Sequence, residues 1–229
     1  MAIKIGILRE SDNNETRVAL VPEIAKKLAA SGAEFLVEKN AGRSAGYNDS
    51  DYPKVCTFKE SKQDVLSGCN VLLIVKPPND QDIKLLKENT VVIGFINPFD
   101  NQNLIKQMAE QKVISFSVEL IPRISRAQSM DALSSQASIA GYKAVVLAAN
   151  HSNKFFPMLT TAAGTVRPSQ VLVIGAGVAG LQAIATAKRL GSRVLAFDVR
   201  SSTKEQIESL GATFLDTEVS AEGDGGYAR

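Results

Sequence analysis

Apolar residues fall along this chain in short runs separated by polar and glycine-rich stretches. Ile3 to Leu8 is the first such run, and its branched residues predict a buried strand. Arg9 to Thr16 is polar and reads as loop. Pro22 suits a first helical position, and Glu23 to Ala30 carries a helical pattern closed by Gly32. Phe35 to Glu38 predicts a second strand, and Asn40 to Tyr52, rich in Gly, Asn, Asp and Ser, a loop. Lys62 to Leu66 then reads as helix, Val71 to Val75 as strand, Gln81 to Leu86 as a short helix and Val91 to Ile96 as strand. Gln102 to Ala109 follows as helix and Val113 to Val118 as strand. Strands alternating with short helices predict a mostly parallel sheet covered on both faces.

The second half repeats the alternation after a long helical stretch. Met130 to Ala149 is helical in pattern, with Leu133, Ala137, Ala140, Ala144 and Leu147 on one stripe. Thr160 to Pro168 is rich in turn residues. A strand at 171–174, a helix at 178–190, a strand at 193–197, a helix at 202–210 and a short strand at 213–215 complete the pattern. The expected class is α/β, with two Rossmann-like parallel-sheet domains joined by a long helix and the second truncated. The expected boundaries are residues 1–125 for the first domain, 126–150 for the bridging helix and 151–229 for the second. A full doubly wound domain has two halves about a switch point. Here the pattern supplies only the first half, which leaves its opening apolar strand as an edge. The expectation is therefore a fragment, or a domain whose remaining strands come from another chain.

The sharpest local signal lies in that second domain. Val171 to Ile174 runs into Gly175-Ala176-Gly177-Val178-Ala179-Gly180, and an Ala-rich helical pattern follows to Gly191. The next apolar run, Arg193 to Phe197, ends in Asp198. Gly175 permits a tight turn off the strand, Gly177 allows backbone to approach a pyrophosphate, and Gly180 allows close packing of helix on sheet. Free N–H groups and the dipole at the helix start favour phosphate. Asp198 stands where a carboxylate accepts hydrogen bonds from the adenine-side ribose and repels a 2′-phosphate, so NAD rather than NADP is expected. The competing reading is a glycine-rich turn in an ordinary α/β protein with Asp198 as a helix cap. Arg200, two residues on, weakens the NAD preference slightly and reads as a solvated surface arginine.

Composition changes this picture mainly by exclusion. The 229 residues are 45% hydrophobic and 22% charged, ordinary for a globular protein. Lys+Arg number 26 against 24 Asp+Glu, a formal net charge of +2, so no basic face for nucleic acid is implied. Cys56 and Cys69 are too few for a disulfide framework or metal cluster and read as reduced thiols. His151 is the single histidine, which excludes multi-histidine metal sites and leaves little room for histidine acid/base chemistry. No metal site is expected. The charged start is not a signal peptide, and the glycine-interrupted apolar run is not a membrane span, so this chain by itself is expected to be soluble.

A second informative stretch runs from Pro122 to Ser135, where two arginines, a glutamine, an aspartate and several hydroxyls cluster at a strand-to-helix junction. Gln128, Asp131 and Ser134 (or Ser135) share a helical face if the helix begins before Gln128. The alternative is capping by Ser125 or Ser129 with the arginines exposed.

The run P-R-I-S-R-A-Q-S-M-D-A-L-S-S-Q, with I-A-G-Y-K-A-V, T-A-A-G-T-V, V-I-G-A-G-V-A-G-L-Q-A-I-A-T-A-K-R-L-G, F-D-V-R, K-E-Q and G-D-G-G-Y-A, resembles the NAD(H)-binding domain of the proton-translocating nicotinamide nucleotide transhydrogenases, carried in bacteria on the alpha subunit. The resemblance extends to the start, G-I-L-R-E and N-E-T-R-V-A, and alanine dehydrogenase is the fold relative. It implies that Arg123 reaches the nicotinamide carboxamide, with Ile124 and Ser125 in the same contacting segment. Gln128 would bridge towards NADP(H) on a partner domain, and Asp131 and Ser134 would hold the nicotinamide amide. Val178 would meet the pyrophosphate, and Asp198, Val199 and Arg200 the adenosine ribose. Gly226 and Tyr227 correspond to a mobile loop that closes over nucleotide. The implied partners are the NADP(H)-binding and membrane-spanning subunits and a second copy of this domain. The implied location is peripheral, on the cytoplasmic side of the inner membrane.

Direct hydride transfer between two nicotinamides needs orientation and exclusion of water rather than a general base, which suits a histidine-poor chain. Alanine dehydrogenase chemistry needs an acid/base group, and Gly94-Phe95-Ile96-Asn97 stands where the relative's histidine is expected. Arg17 and Lys76 resemble that relative's substrate residues and read here as structural or inherited ion pairing. An alanine dehydrogenase-like enzyme and a truncated, inactive NAD-binding fragment remain as alternatives.

Overall fold

The computed structural model describes residues 2–216. The chain divides into two compact units, Met1–Asp131 and Ala132–Arg229.

The first unit is a six-stranded parallel sheet in the order β3-β2-β1-β4-β5-β6. In chain order its elements are β1 (Lys4–Ile7), α1 (Pro22–Ala29), β2 (Glu34–Glu38), β3 (Cys56–Lys59), α2 (Lys62–Gly68), β4 (Val71–Leu73), α3 (Asp80–Leu85), β5 (Val91–Gly94), α4 (Gln102–Glu110) and β6 (Ile114–Ser117). Local chemistry sets the helix starts. Pro22 opens α1, the Ser61 side chain accepts the Gln63 N–H ahead of α2, and Asn79 accepts the Asp82 N–H ahead of α3. Strand alternation then separates two cores. Ile5, Ile7, Phe35 and Val37 pack with Val18, Leu20, Tyr52 and Cys56. Leu72 and Val92 pack with Val65, Leu66, Ile96, Leu104 and Met108 in the other. Gly6 is small because α2 crosses it: a Cβ there would lie 2.9 Å from that of Cys69.

The strand order is that of a dinucleotide fold, with its switch point between β1 and β4. No glycine turn follows β1. Instead the Glu10 carboxylate accepts the backbone N–H groups of Val75 and Lys76 at 2.7 and 3.0 Å, filling the switch point with a side chain of the unit itself.

The second unit starts with α5 (Ala132–His151) and an antiparallel hairpin, β7 (Leu159–Thr161) and β8 (Gly164–Val166), in the stretch expected only to turn. β9 (Gln170–Ile174), α6 (Val178–Arg189), β10 (Arg193–Phe197), α7 (Lys204–Ser209) and β11 (Thr213–Phe214) follow. Their parallel sheet has the order β11-β10-β9, so β9 is an edge among the described residues, as expected. Ile184, Ala187, Val194, Ala196 and Ile207 form its core with Val145 of α5.

Helix α5 departs from its expected face. Leu133, Ala140, Ala144 and Leu147 are exposed in this unit, and Gly141 and Val145 are the buried positions. The helix is apolar and alanine-rich all round, so periodicity does not single out one side. Packing against α6 is set by closeness: a Cβ on Gly141 would lie 2.1 Å from the Ala179 carbonyl oxygen. The helix also starts later than the pattern predicts. Ser125–Met130 is a 3-10 segment and Asp131 has non-helical backbone, so Gln128 and Asp131 precede the helix that carries Ser134. The shared helical face expected for these three residues is therefore not formed.

Candidate functional site

The glycine corner is built as its spacing predicts. Gly175 leaves β9 at φ 92°, a left-handed conformation that glycine adopts without strain. Its N–H donates to the Phe197 carbonyl at 2.8 Å, tying the corner to β10. Gly177 precedes α6 in extended backbone, with no side-chain cap. A Cβ on Gly177 would meet nothing within 4 Å, so a ligand can approach the backbone there closely. Gly180 is different: its Cβ would lie 1.8 Å from the Gly175 carbonyl oxygen. Its smallness fits the helix onto the corner itself. Val178 opens α6 and is exposed. A pocket of about 350 Å³ at this end of the sheet is lined by Ile174, Gly175, Gly177, Phe197, Asp198, Val199 and Arg200.

Asp198 is 7% exposed and organises the corner. One carboxylate oxygen, Oδ2, accepts the Ala176 N–H at 2.6 Å and Arg200 Nη2 at 2.9 Å. The other, Oδ1, accepts the Arg200 backbone N–H and Nε, each at 2.9 Å. The Arg200 guanidinium holds the carboxyl far below the usual carboxylate range, helped by the Ala176 and Arg200 N–H groups and opposed by burial. Arg200 is thus not the solvated surface residue expected. Its side chain is 19% exposed, because two-residue spacing beyond a strand end brings its fork back onto Asp198.

The part of the Pro122–Ser135 stretch up to Asp131 forms a second pocket, in the first unit. Arg123, Ile124, Ser125, Ala127, Gln128 and Asp131 line about 380 Å³. Ala127 is buried and anchors the 3-10 segment, while Ile124 and Met130 are exposed. Ser134 lies in the first turn of α5, in the second unit. Gly226 and Tyr227 lie outside the described residues.

Sequence reasoning missed Glu119, which lies just ahead of that stretch and braces the loop after β5. It sits in a 3-10 turn directly after β6. Its Oε1 accepts Ile96 N–H at 3.1 Å, Asn97 N–H at 2.5 Å and the Ser117 hydroxyl at 2.9 Å. Asn97 has φ 48°, so the loop after β5 turns through a left-handed residue that this carboxylate braces. A glutamate inside S-F-S-V-E-L gives no periodic signal of such a role.

Arg17 is paired as expected. Its Nε and Nη2 reach Glu15 Oε1 and Oε2 at 2.8 and 2.7 Å, and this pairing raises the guanidinium and lowers the carboxyl. A pocket of about 490 Å³ beside it is lined by Arg9, Glu10, Asp12, Glu15, Glu38 and Lys62 among others. Among the described residues, no group of three or more His, Cys, Asp and Glu is arranged to hold a metal ion, and no helix is long and apolar enough to cross a membrane.

Two parallel sheets in dinucleotide-fold order, one with a strand–glycine turn–helix corner, place the chain among α/β nucleotide-fold proteins. Comparison with known proteins narrows that class. Residues 6–140 match the alanine dehydrogenase/PNT N-terminal domain and residues 144–224 the alanine dehydrogenase/PNT C-terminal domain. The chain belongs to this family. It is 45% identical over 233 residues to the first part of NAD(P) transhydrogenase subunit alpha from Rickettsia prowazekii, covering 99% of this chain and 61% of that protein. The crystal structure of transhydrogenase from Sinorhizobium meliloti superposes with a TM-score of 0.90 at 45% identity, over 94% of this chain and 62% of that one. An alanine dehydrogenase of Staphylococcus epidermidis is 29% identical over 211 residues, 91% of this chain and 56% of that protein. The chain therefore spans under two thirds of the length of these relatives.

Proposed function

We propose that this chain is the NAD(H)-binding component of a proton-translocating transhydrogenase and takes part in direct hydride transfer between NADH and NADP+. The observation that carries the proposal is the glycine corner, with open space at Gly177, a left-handed Gly175 and Asp198 one strand away. The residues present fit a dinucleotide. The backbone N–H groups at the start of α6, from Val178, would bind the pyrophosphate. Asp198, Val199 and Arg200 line the adjoining pocket and would hold the adenosine ribose. By the family resemblance, Arg123, with Ile124 and Ser125, would contact the nicotinamide carboxamide, and Asp131 and Ser134 would be the residues that hold its amide. Gln128 bridges towards NADP(H) held by a partner.

The chemistry supplied by the bound coenzyme is a hydride at its nicotinamide ring. The chain orients that ring and keeps water from it, and neither task requires a general base. NADP(H) and the proton path reside on partner and membrane-spanning subunits, with this domain paired as a homodimer on the cytoplasmic face of the membrane.

Two measurements test this. NADH titrated against the chain should give saturable nucleotide fluorescence at the micromolar concentrations typical of a cellular coenzyme site. Mixed with an NADP(H)-binding transhydrogenase domain, the NADH-loaded chain should reduce an NADP analogue. NADH binding without transfer would leave only a binding module. Turnover of L-alanine, or of pyruvate with ammonia, would favour the alanine dehydrogenase reading instead.

A further inference from the structure

A carboxylate offers about four lone-pair positions to hydrogen-bond donors. On Asp198 four N–H groups occupy them: Ala176 N and Arg200 Nη2 on Oδ2, Arg200 N and Nε on Oδ1. Two of the four belong to a single guanidinium side chain. A ribose entering the pocket lined by Gly175, Gly177, Asp198 and Arg200 therefore finds no unused acceptor on Asp198. It also meets a carboxylate whose charge is already matched by a cation at 2.9 Å.

We infer that Arg200 is the coenzyme-discriminating residue of this corner, masking Asp198 so that a 2′-phosphate is repelled less than the lone aspartate would repel it. This rests on the nucleotide reading of the site given above and deepens it. The backbone donors, Ala176 N and Arg200 N, stay with the fold. The side-chain donors, Nε and Nη2, are the exchangeable pair. The adenosine ribose presents its 2′- and 3′-hydroxyls, and they take up acceptor positions that Arg200 gives up. A 2′-phosphate has no proton to donate in its dianionic form and meets repulsion from Asp198, offset by a guanidinium that pairs well with phosphate. An aspartate alone would add a strong preference for the unphosphorylated coenzyme. With Arg200 in place that preference is blunted, and it is set by how far the fork swings between carboxylate and coenzyme.

The test compares dissociation constants for NADPH and NADH on the 229-residue chain, read by nucleotide fluorescence, for the wild type and Arg200→Met, Arg200→Lys and Asp198→Asn. Methionine keeps the apolar stem and removes the fork. The ratio Kd(NADPH)/Kd(NADH) is expected to rise about tenfold or more in Arg200→Met and to stay within a few-fold of the wild type in Arg200→Lys, which keeps the charge. It is expected to fall below the wild type in Asp198→Asn, where the repulsive charge is gone and Arg200 is released. A ratio in Arg200→Met that is unchanged or lower overturns the assignment. If Arg200→Met does not fold by circular dichroism, the other two variants decide. A ratio rising tenfold in Arg200→Lys, or not falling in Asp198→Asn, would then overturn it. If the wild-type chain binds neither coenzyme, the nucleotide reading itself fails and the discrimination with it. If NADH binds and the ratio ignores Arg200, only the discrimination fails.

Discussion

Gly180 rests so closely on Gly175 that a methyl group on the first would lie 1.8 Å from the carbonyl oxygen of the second. Gly177, three residues earlier, has nothing within 4 Å of the same position. The two glycines thus serve different ends, one for assembly of the corner and one for access to it. Gly180→Ala should shift α6 off the corner and destabilise the chain by roughly 1–3 kcal/mol, the usual range for overpacking. Gly177→Ala should leave the melting temperature unchanged within error while weakening NADH binding at least tenfold. Thermal melts alongside NADH titrations separate the two. Equal melting temperatures for both variants would remove the distinction.

Asp198 also ties stability to pH. Its carboxyl is far more acidic folded than in an unfolded chain, chiefly through Arg200. A depressed acid stabilises the fold fully above its unfolded pKa, about 3.9 for aspartate, and loses that contribution as the pH falls towards the folded value. Asp198→Asn should therefore cost about 1–3 kcal/mol near neutral pH, the range for hydrogen bonds to a charged group. The gap between variant and wild type should narrow below about pH 4. Urea unfolding across pH 7 to 3 measures it. A gap that widens in acid has the wrong sign for this pair.

Glu119 braces the loop after β5 through two backbone N–H groups and the Ser117 hydroxyl. Removing the acceptor strands the Ile96 and Asn97 N–H groups, part-buried at Ile96, and an orphaned buried donor costs about 1–3 kcal/mol. Glu119→Ala should destabilise the chain by that amount, and Glu119→Gln, which keeps one carbonyl acceptor, should recover most of it. Denaturant midpoints at matched slopes provide the comparison. Alanine behaving like glutamine would mean that the brace contributes nothing.

What the residues disclosed and what they hid follow from how each signal is encoded. Continuous apolar runs such as Val71–Leu73 and Val171–Ile174 announce strands because they are short, rich in branched residues and bounded by polar or glycine positions. β3 lacks such a run: Cys56-Thr57-Phe58-Lys59 alternates at the sheet edge, and the apolar pattern assigns no element there. The β7–β8 hairpin is exposed throughout and so carries no core pattern. Glycine spacing is a backbone constraint and is visible in one dimension. The Asp198–Arg200 fork and the Glu119 brace are choices of side-chain rotamer and partner, and composition does not specify them. The face of α5 was hidden because an alanine-rich helix can approach a neighbour on several sides, and one glycine, Gly141, decides.

The two cysteines provide a test of the first unit's cores. Cys56 belongs to one core cluster and Cys69 to the other, so the sheet separates them and both are free thiols. Burial pushes each thiol up to about 11 from an ordinary value near 9. Only the thiolate reacts, and a thiol pushed up to about 11 holds about a hundredfold less of it at pH 8 than an ordinary one. Access adds a second restraint, because alkylation of a buried sulfur waits on opening of the sheet. Iodoacetamide at pH 8 should therefore label both residues at least a hundredfold more slowly in the folded chain than in 8 M urea. Cys69, the more deeply buried at 2% exposure, should lag behind Cys56 at 9%. Peptide-resolved mass spectrometry over a time course gives both rates. Rapid labelling of Cys69 in the native chain would show that α2 does not stay packed over Gly6, and the close contact assigned to that glycine would have to be abandoned.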